Sequence, residues 1–414
     1  MDATPEALRP SFALRAGNVL MLLVWAVVAA FPLVWIALMS TKAPLDAFSP
    51  HAADVVFGPR TSAATGGISV LDCILVGLLV ALLVWLPARH GAAVAARLSP
   101  VRGSVGGGPV GRYLWFGWLV FAVIYAAICA AILLLALPGL LRGLEALLSP
   151  VSGIGAIARP FLGVTGEHYR AVWIGNAFYR QFLNSMLVTG GVVVISLSVG
   201  TLAGYALART TSGAAFWLLI AALVFRALPH SVLVAGYLPP MIASHEWLQP
   251  FWDSPTFGWF LKLFSAEAPT LYGKPLAVIL VLVAINQPFT IWMLRSFFAN
   301  VPAELDEAAR VDGCGHFEAF RRVIMPVMWP GVVTTGLFSF LLAYNDYLVT
   351  SLLLDQQSQT MVPAIAGFLA RENSSADQLE AIAAAVSIIA PLFVLVMVFQ
   401  RQIVSGLTQG AVKG

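Results

Sequence analysis

The sequence predicts an all-α integral membrane protein with about eight spanning helices, and three observations lead to this fold class. Apolar residues make up 59% of the chain, whereas charged residues make up only 10%. The apolar residues fall in runs long enough to cross a bilayer, which takes about 20 residues of α-helix. A short polar island, residues 300–326, separates two of these runs. A composition this apolar is typical of membrane proteins.

Eight apolar runs are predicted to span the membrane. They are residues 19–39, 69–87, 113–137, 182–208, 215–241, 275–298, 327–353 and 381–400. The first run is long enough to span, so we interpret it as a helix of the protein and not as a cleaved signal peptide. An even number of spans places both termini on one side. Lys and Arg are about twofold denser in the stretches that are cytoplasmic when both termini are inside, so we expect cytoplasmic termini.

Charge and residue types exclude several functions. The net charge of +3 gives no reason to expect a nucleic-acid partner. Cys73, Cys129 and Cys314 are too few and too scattered for a disulfide or metal framework. The sequence has no Gly-rich phosphate loop followed by Lys and Ser or Thr, and no assignable Ser, His and Asp arrangement. We therefore expect this chain to contain no catalytic residue, no metal and no cofactor. We expect it not to be an enzyme.

The polar island begins with the signals of a short helix. Pro302 suits the first turn of a helix, where its missing N–H costs nothing. Acidic residues follow near the positive end of that helix, namely Glu304, Asp306 and Glu307. Ala308 and Ala309 are small helix formers that would allow another backbone to approach closely.

The second half of the island predicts a turn and another helix. Gly313 can take the positive φ that ends a helix, and Gly315 keeps the turn loose. A second short helix is expected over residues 316–325, and Pro326 is expected to stop it at the membrane.

The spacing of the island resembles the EAA loop of ABC-importer permeases. Glu307-Ala308-Ala309 is followed after three residues by Gly313 and after nine more by Val323, and Met325 and Pro326 fill the last places. In that family the loop is the surface on which the ATPase subunits sit. The resemblance implies an ATPase-coupling role for Glu307, Ala308, Ala309, Asp312, Gly313 and Pro326. The alternative is an ordinary solvated loop.

The resemblance extends beyond the loop, to about residues 17–50 and 165–414. It is to the second permease subunit of the maltose-type, carbohydrate-transporting importers. The matching segments lie at span ends and at the C-terminus, at residues 31–35, 40–42, 182–185, 204–209, 292–298, 344–347 and 410–414. The resemblance implies a six-span type I ABC importer permease core. A C-terminal tail, residues 401–414, is expected to be too polar to span and too short to fold alone.

The chain departs from the family pattern in two places. Residues 1–50 hold the N-terminal tail and the first core span, residues 51–164 an insertion with two extra spans, and residues 165–414 the rest of the core. The inserted two-helix hairpin either docks a partner or lipid, or only packs against the core. A second insertion, residues 245–269, is rich in Trp and Phe and either touches a binding protein or rests on the membrane interface.

Polar groups inside predicted spans mark where substrate handling is expected. The substrate-pathway candidates are Arg226, Asn286, Gln287, Asn345 and Asp346. Arg226 either lines the pore or bonds carbonyl groups freed by Pro229. Asn286 and Gln287 either bond hydroxyl groups of a sugar or polyol, or satisfy carbonyl groups released by Pro288.

The resemblance implies a transmembrane permease subunit of an ATP-driven, binding-protein-dependent importer for a sugar or polyol, in the bacterial plasma (inner) membrane. Its partners would be a second permease subunit, two ATPase subunits that bind ATP and Mg, an extracytoplasmic solute-binding protein and membrane lipid. One alternative is a secondary transporter driven by an ion gradient, but the predicted span interiors lack the carboxylates that such proteins use. A membrane-embedded enzyme or scaffold would leave the polar island unexplained.

Overall fold

The computed structural model describes residues 12–65, 67–79, 81, 141, 143, 147, 160–210, 212–228, 230–263, 265–371 and 374–411. The chain divides into two compact units, Met1–Gly166 and Glu167–Gly414. The predicted span 113–137 lies outside the described residues, and so does the last part of the predicted span 69–87.

The first unit contains one long helix followed by short elements. Its long helix is α1 (Phe12–Met39). The short elements are α2 (Pro44–Ala47), α3 (Ala52–Phe57), α4 (Pro59–Thr65), β1 (Gly67–Ser69), α5 (Val70–Leu79) and β2 (Pro160–Gly163).

The regular elements in the described part of the second unit are all helices. It begins with α6 (Glu167–Arg170), which continues as a π-helical turn, Ala171–Gly175. The other helices are α7 (Phe178–Arg209), α8 (Gly213–Arg226), α9 (His230–Ile242), α10 (Ser244–Trp252), α11 (Gly258–Leu261), α12 (Pro275–Ala299), α13 (Glu304–Val311), α14 (His316–Ala319), a π turn (Phe320–Ile324), α15 (Met325–Tyr344), α16 (Leu348–Leu353), α17 (Met361–Leu369) and α18 (Ser375–Ala411).

Five helices in the described chain are long and apolar enough to cross a membrane. They are Ala16–Met39, Phe178–Arg209, Pro275–Ala299, His316–Tyr344 and Ser375–Gln402. Each contains most of one predicted span, so the all-α membrane class is confirmed. The predicted span 215–241 is instead two shorter helices, α8 and α9. The break falls where the sequence has Pro229, which has no N–H to continue a helix.

Small residues bring the central helices of the second unit together. Helix α7 lies against α12 and α15. A Cβ added at Gly200 would lie 2.8 Å from the Cγ2 of Thr290, and one at Gly204 would lie 3.0 Å from the Cβ of Leu294. Close backbone approach at small residues is a common way for helices to associate in a membrane, where water cannot drive them together.

Pro326 does not end a helix, and the prediction that it would is wrong. The chain is helical without interruption from His316 to Tyr344 and contains both Pro326 and Pro330. A π turn, Phe320–Ile324, precedes the prolines. A π turn changes which carbonyl groups are paired, and a proline near the start of the following α-helix has no N–H bond to lose.

The C-terminal tail continues the last spanning helix. Helix α18 runs from Ser375 to Ala411, so the described part of residues 401–414 continues the last span. The hydroxyl of Thr334 donates to the carbonyl of Gln402 over 3.0 Å, which ties this region to α15. Extending an existing helix adds one hydrogen bond per residue without the cost of nucleation, so a segment too short to fold alone can still be helical there.

Two short strands pair within the predicted insertion, a feature that the all-α prediction missed. Strand β1 pairs antiparallel with β2, with Gly67 opposite Gly163 and Ser69 opposite Pro160. The ends of the segment between the two strands are therefore neighbours.

A buried lysine reinforces this junction. The Nζ of Lys42 donates to the carbonyl oxygens of Val56, over 2.9 Å, and Gly163, over 2.5 Å. Asp46 accepts from both the N–H and the hydroxyl of Thr61. Burial lowers the pKa of Lys42, and the charge of Asp46 opposes that shift.

Candidate functional site

The first half of the polar island folds as predicted, as the short helix α13 and a glycine turn, whereas α14 is the start of the continuous helix His316–Tyr344. Helix α13 has its three acidic residues in the first turn. Gly313 has φ = +89°, and its N–H donates to the carbonyl of Arg310 over 3.0 Å. The N–H of Cys314 donates to the carbonyl of Ala309, also over 3.0 Å. These two bonds are the Schellman motif, which fixes the direction in which the chain leaves the helix.

The exposed face of this loop carries acidic, basic and apolar side chains, with Arg310 among the basic ones. Of the predicted coupling residues, the structure exposes Glu307, Ala308, Asp312, Gly313 and Pro326. Ala309 is only 5% exposed and packs inside the chain, so it is not available for contact with a partner. Sequence reasoning missed two exposed apolar side chains, Val311 at 88% and Phe317 at 66%. The coupling role of the whole set stays a prediction.

Asp306 anchors α13 to the end of α7. Its carboxylate accepts the hydroxyl of Tyr205, over 2.5 Å, and the Nε of Arg209, over 2.8 Å. The Nη1 of Arg209 donates to the carbonyl of Val301 over 3.0 Å. The side chains of Asp306 and Arg209 are 12% and 21% exposed, so water screens this ion pair only weakly.

An aromatic cluster supports the anchor. The ring of Tyr205 lies 5.6 Å from that of Phe298 and 4.9 Å from that of Phe320, centre to centre. These residues come from α7, α12 and the π turn before α15, so three helical segments fix the position of α13. A cleft of about 330 Å³ lies beside the anchor; its lining is Tyr205, Arg209, Ala303, Asp306, Glu307, Arg310, His316 and Ala319.

Arg226 and the two amides have different surroundings. Arg226 ends α8, and its guanidinium carbon lies 4.8 Å from the centre of the Phe289 ring on α12. Gln287 donates to the carbonyl of Ser196 on α7 over 3.3 Å, so it faces a helix interface. Asn286 is 3% exposed.

Asn345 and Asp346 lie in the turn between α15 and α16. Asn345 is exposed directly after α15. A carboxylate oxygen of Asp346 accepts the N–H of Thr350 over 3.0 Å, and the carbonyl of Asp346 accepts the Thr350 hydroxyl over 2.7 Å. Asp346 therefore caps the start of α16. Arg226, Gln287 and Asp346 each contact a partner within the chain. The part that all five candidates play in transport stays a prediction.

No group of three or more His, Cys, Asp or Glu side chains that could hold a metal ion occurs among the residues that the structure describes.

Fold and loop together define a class of protein. A multi-pass helical protein with the glycine-capped helix α13 exposed between two spans agrees with the architecture that the sequence predicts for an importer permease. The chain belongs to the family described as "binding-protein-dependent transport system inner membrane component", whose sequence model matches residues 196–409. It is thus a multi-pass inner-membrane permease of a transport system that works with a solute-binding protein, and the predicted ABC-importer type is confirmed. An ion-gradient transporter is not favoured.

Two curated relatives and one solved structure are similar to this chain. The trehalose transport system permease protein SugB of Mycobacterium tuberculosis (strain CDC 1551 / Oshkosh) is 32% identical over 61% of this chain and 83% of SugB. The diacetylchitobiose uptake system permease protein DasC of Streptomyces coelicolor (strain ATCC BAA-471 / A3(2) / M145) is 34% identical over 61% of this chain and 82% of DasC. A chain in the crystal structure of a bacterial ABC transporter for alginate import has a TM-score of 0.40 and 18% identity, over 72% of this chain and 99% of that chain.

Proposed function

We propose that this chain is one of two permease subunits of an ATP-driven importer for a sugar or polyol, and that the loop of α13 and α14 seats an ATPase subunit. The observation that carries the proposal is the Schellman-capped helix α13, anchored through Asp306, with Glu307 on its exposed face. Relatives named for trehalose and diacetylchitobiose transport support the sugar class. ATP and Mg bind to the ATPase partners, and this chain is the non-catalytic subunit.

The anchor gives the loop a means of moving the spans. A displacement of α13 acts on α7 through the ion pair of Asp306 with Arg209. It acts on α15 through the unbroken helix that begins at His316. Rigid-body movement of packed helices is a common way to switch a protein between two states. ATPase closure would in this way change the access of the pore from one side of the membrane to the other.

Co-purification and transport assays test the proposed function. The complex should contain stoichiometric ATPase, and its ATP hydrolysis should rise with a ligand-loaded binding protein. A ligand screen on that binding protein should identify a sugar or polyol. Uptake that follows an imposed ion gradient and requires no ATPase would contradict the proposal.

The orientation of the chain gives a separate prediction. A cysteine introduced at Ser104 should react with an impermeant thiol reagent only from the cytoplasm, and one introduced at Asp253 only from outside. The even number of predicted spans and the distribution of Lys and Arg both require this. Reaction of the Ser104→Cys variant from outside would show that the inserted runs are not two spans.

The end of α18 is proposed to contact the ATPase subunits. Removal of residues 406–414 should lower ligand-stimulated ATP hydrolysis and leave membrane insertion intact. The bond from Thr334 to Gln402 lies before the deleted segment, so the attachment of α18 to α15 is retained. Full hydrolysis and transport by the truncated complex would show that this segment has no role in coupling.

A further inference from the structure

The second insertion forms a small folded unit that the proposed transport function does not use. This unit, which we call the aromatic cap, comprises residues 244–263 and contains α10 and α11. It connects the end of α9 to the segment that leads into α12.

The aromatic cap is tied to the returning chain by several hydrogen bonds. The hydroxyl of Ser244 accepts the N–H of Leu271 over 2.6 Å, and a ring nitrogen of His245 lies 2.6 Å from the carbonyl oxygen of Ala268. The side-chain oxygen of Gln249 accepts the N–H of Ala268 over 3.2 Å. The cap is therefore held in one arrangement, and its exposed side chains form a defined surface.

The exposed surface of the cap is dominated by large apolar side chains. Leu263 is 75% exposed, and the other members of the patch are Trp247, Phe251, Phe257, Trp259 and Phe260. Trp247 and Phe251 are four residues apart and so share one face of α10. Glu246 and Pro250, also four apart, lie on a different exposed face. Helix α10 thus exposes an apolar face at Trp247 and Phe251 and, about 100° around the helix, a polar face at Glu246.

Each tryptophan of the cap has its N–H satisfied within the protein. Trp247 donates to the carbonyl of Pro240 over 2.8 Å, and Trp259 to that of Thr256 over 3.1 Å. Trp252 donates to the carbonyl of Ser265 over 3.0 Å. Because these donors need no water, the rings can enter an apolar medium without an unpaired polar group.

Exposed apolar residues also occur in the chain segments that precede and follow the cap. The bond from Trp247 to Pro240 places the indole against α9, whose last residue, Ile242, is exposed. On the other side, Leu276 and Leu280 are exposed at the start of the spanning helix α12. Apolar exposure at these positions is expected of residues that face acyl chains.

We propose that the aromatic cap lies in the membrane–water interface, with its apolar side in contact with lipid. Its rings would reach about 5–10 Å into the boundary between headgroups and acyl chains, as interfacial helices do. The Nζ of Lys262 lies 3.9 Å from a carboxylate oxygen of Asp253, so the cap offers no surplus of basic charge for anionic headgroups. Apolar area therefore provides the attachment, as is typical of Trp and Phe at membrane boundaries.

Site-directed fluorescence quenching tests this proposal on the full-length chain. All three cysteines are first replaced by Ser, and a single cysteine is then introduced by Leu263→Cys or Phe257→Cys and labelled with bimane. Glu246→Cys provides the control on the polar side. Each variant is reconstituted into phosphatidylcholine vesicles, and quenching by iodide in water is compared with quenching by a nitroxide attached high on the lipid acyl chain. The measurement requires no partner subunit, so its result is independent of the proposed transport function.

The expected pattern is opposite for the two sides of the cap. Labels at residues 263 and 257 should be quenched strongly by the lipid nitroxide and several-fold less than the label at residue 246 by iodide. Equal iodide quenching at all three positions would overturn the proposal. If added solute-binding protein then shields residues 263 and 257 from iodide, the patch is a protein-docking surface instead.

Discussion

A Gly313→Pro variant is expected to insert into the membrane normally and to lose nearly all ligand-driven transport. Gly313 has φ = +89°, whereas the proline ring holds φ near −65°. Proline would also remove the N–H that donates to Arg310 in the Schellman motif. The chain would leave α13 in a different direction and misplace Phe317 and the start of α14. Vesicle uptake of the cognate ligand and co-purification of the ATPase measure the effect.

Gly315 provides the matched control for this variant. Its φ of −68° suits a proline ring, and a side chain at this position meets no atom within 4 Å. The Gly315→Pro variant should therefore keep most of the transport activity. Normal uptake in the Gly313→Pro variant would show that the turn does not matter for docking.

An Asp306→Asn variant is expected to weaken coupling strongly without changing the exposed face of the loop. The substitution leaves Arg209 charged and only 21% exposed, without its ion-pair partner. Loss of a hydrogen bond between charged groups costs about 1.5–3 kcal/mol, which would lower the equilibrium constant for the seated loop by about 10–150-fold. Ligand-stimulated ATP hydrolysis in the purified complex should fall accordingly.

Glu304→Gln controls for the loss of a negative charge. Glu304 and Asp306 are both in the first turn of α13, so either substitution weakens the interaction with the helix dipole equally. Glu304 is exposed, however, and the Glu304→Gln variant should stay close to the parent activity. Equal losses in the two variants would assign the effect to the dipole and contradict the anchoring role of Asp306.

The parts of the loop that could be predicted depend on neighbours in sequence. The acidic first turn of α13 and the glycine that ends it are local signals, because helix caps are formed by residues a few positions away. Both are present in the structure. The apolar length of the spans is local in the same sense.

The anchor of α13 could not be predicted in this way. Asp306 is 97 and 101 residues from Arg209 and Tyr205 in the chain, and no local pattern joins them. The sequence contained one usable signal: Tyr205 and Arg209, an aromatic and a basic residue, are four positions apart at the end of a predicted span. Such a pair lies on one helix face and needs an acceptor near the membrane surface.

The partners of the polar residues within the spans could not be predicted from the sequence either. Gln287 bonds to Ser196 on α7, and Asp346 caps α16. Which partner a polar side chain meets depends on the rotation of its helix against its neighbours, and hydropathy does not specify that rotation. A polar residue in an apolar run is therefore a reason to look for a partner and is not in itself a substrate contact.

Because β1 pairs with β2, the length of the segment between the two strands need not affect the rest of the chain. Because Ser69 and Pro160 are direct neighbours, the intervening residues can lengthen, shorten or be exchanged without altering the gap that the flanking segments must bridge. The entropy of closing such a loop grows only slowly with its length. The strand pair is thus a natural graft point, at which the segment between Ser69 and Pro160 can be replaced while the pairing itself is kept.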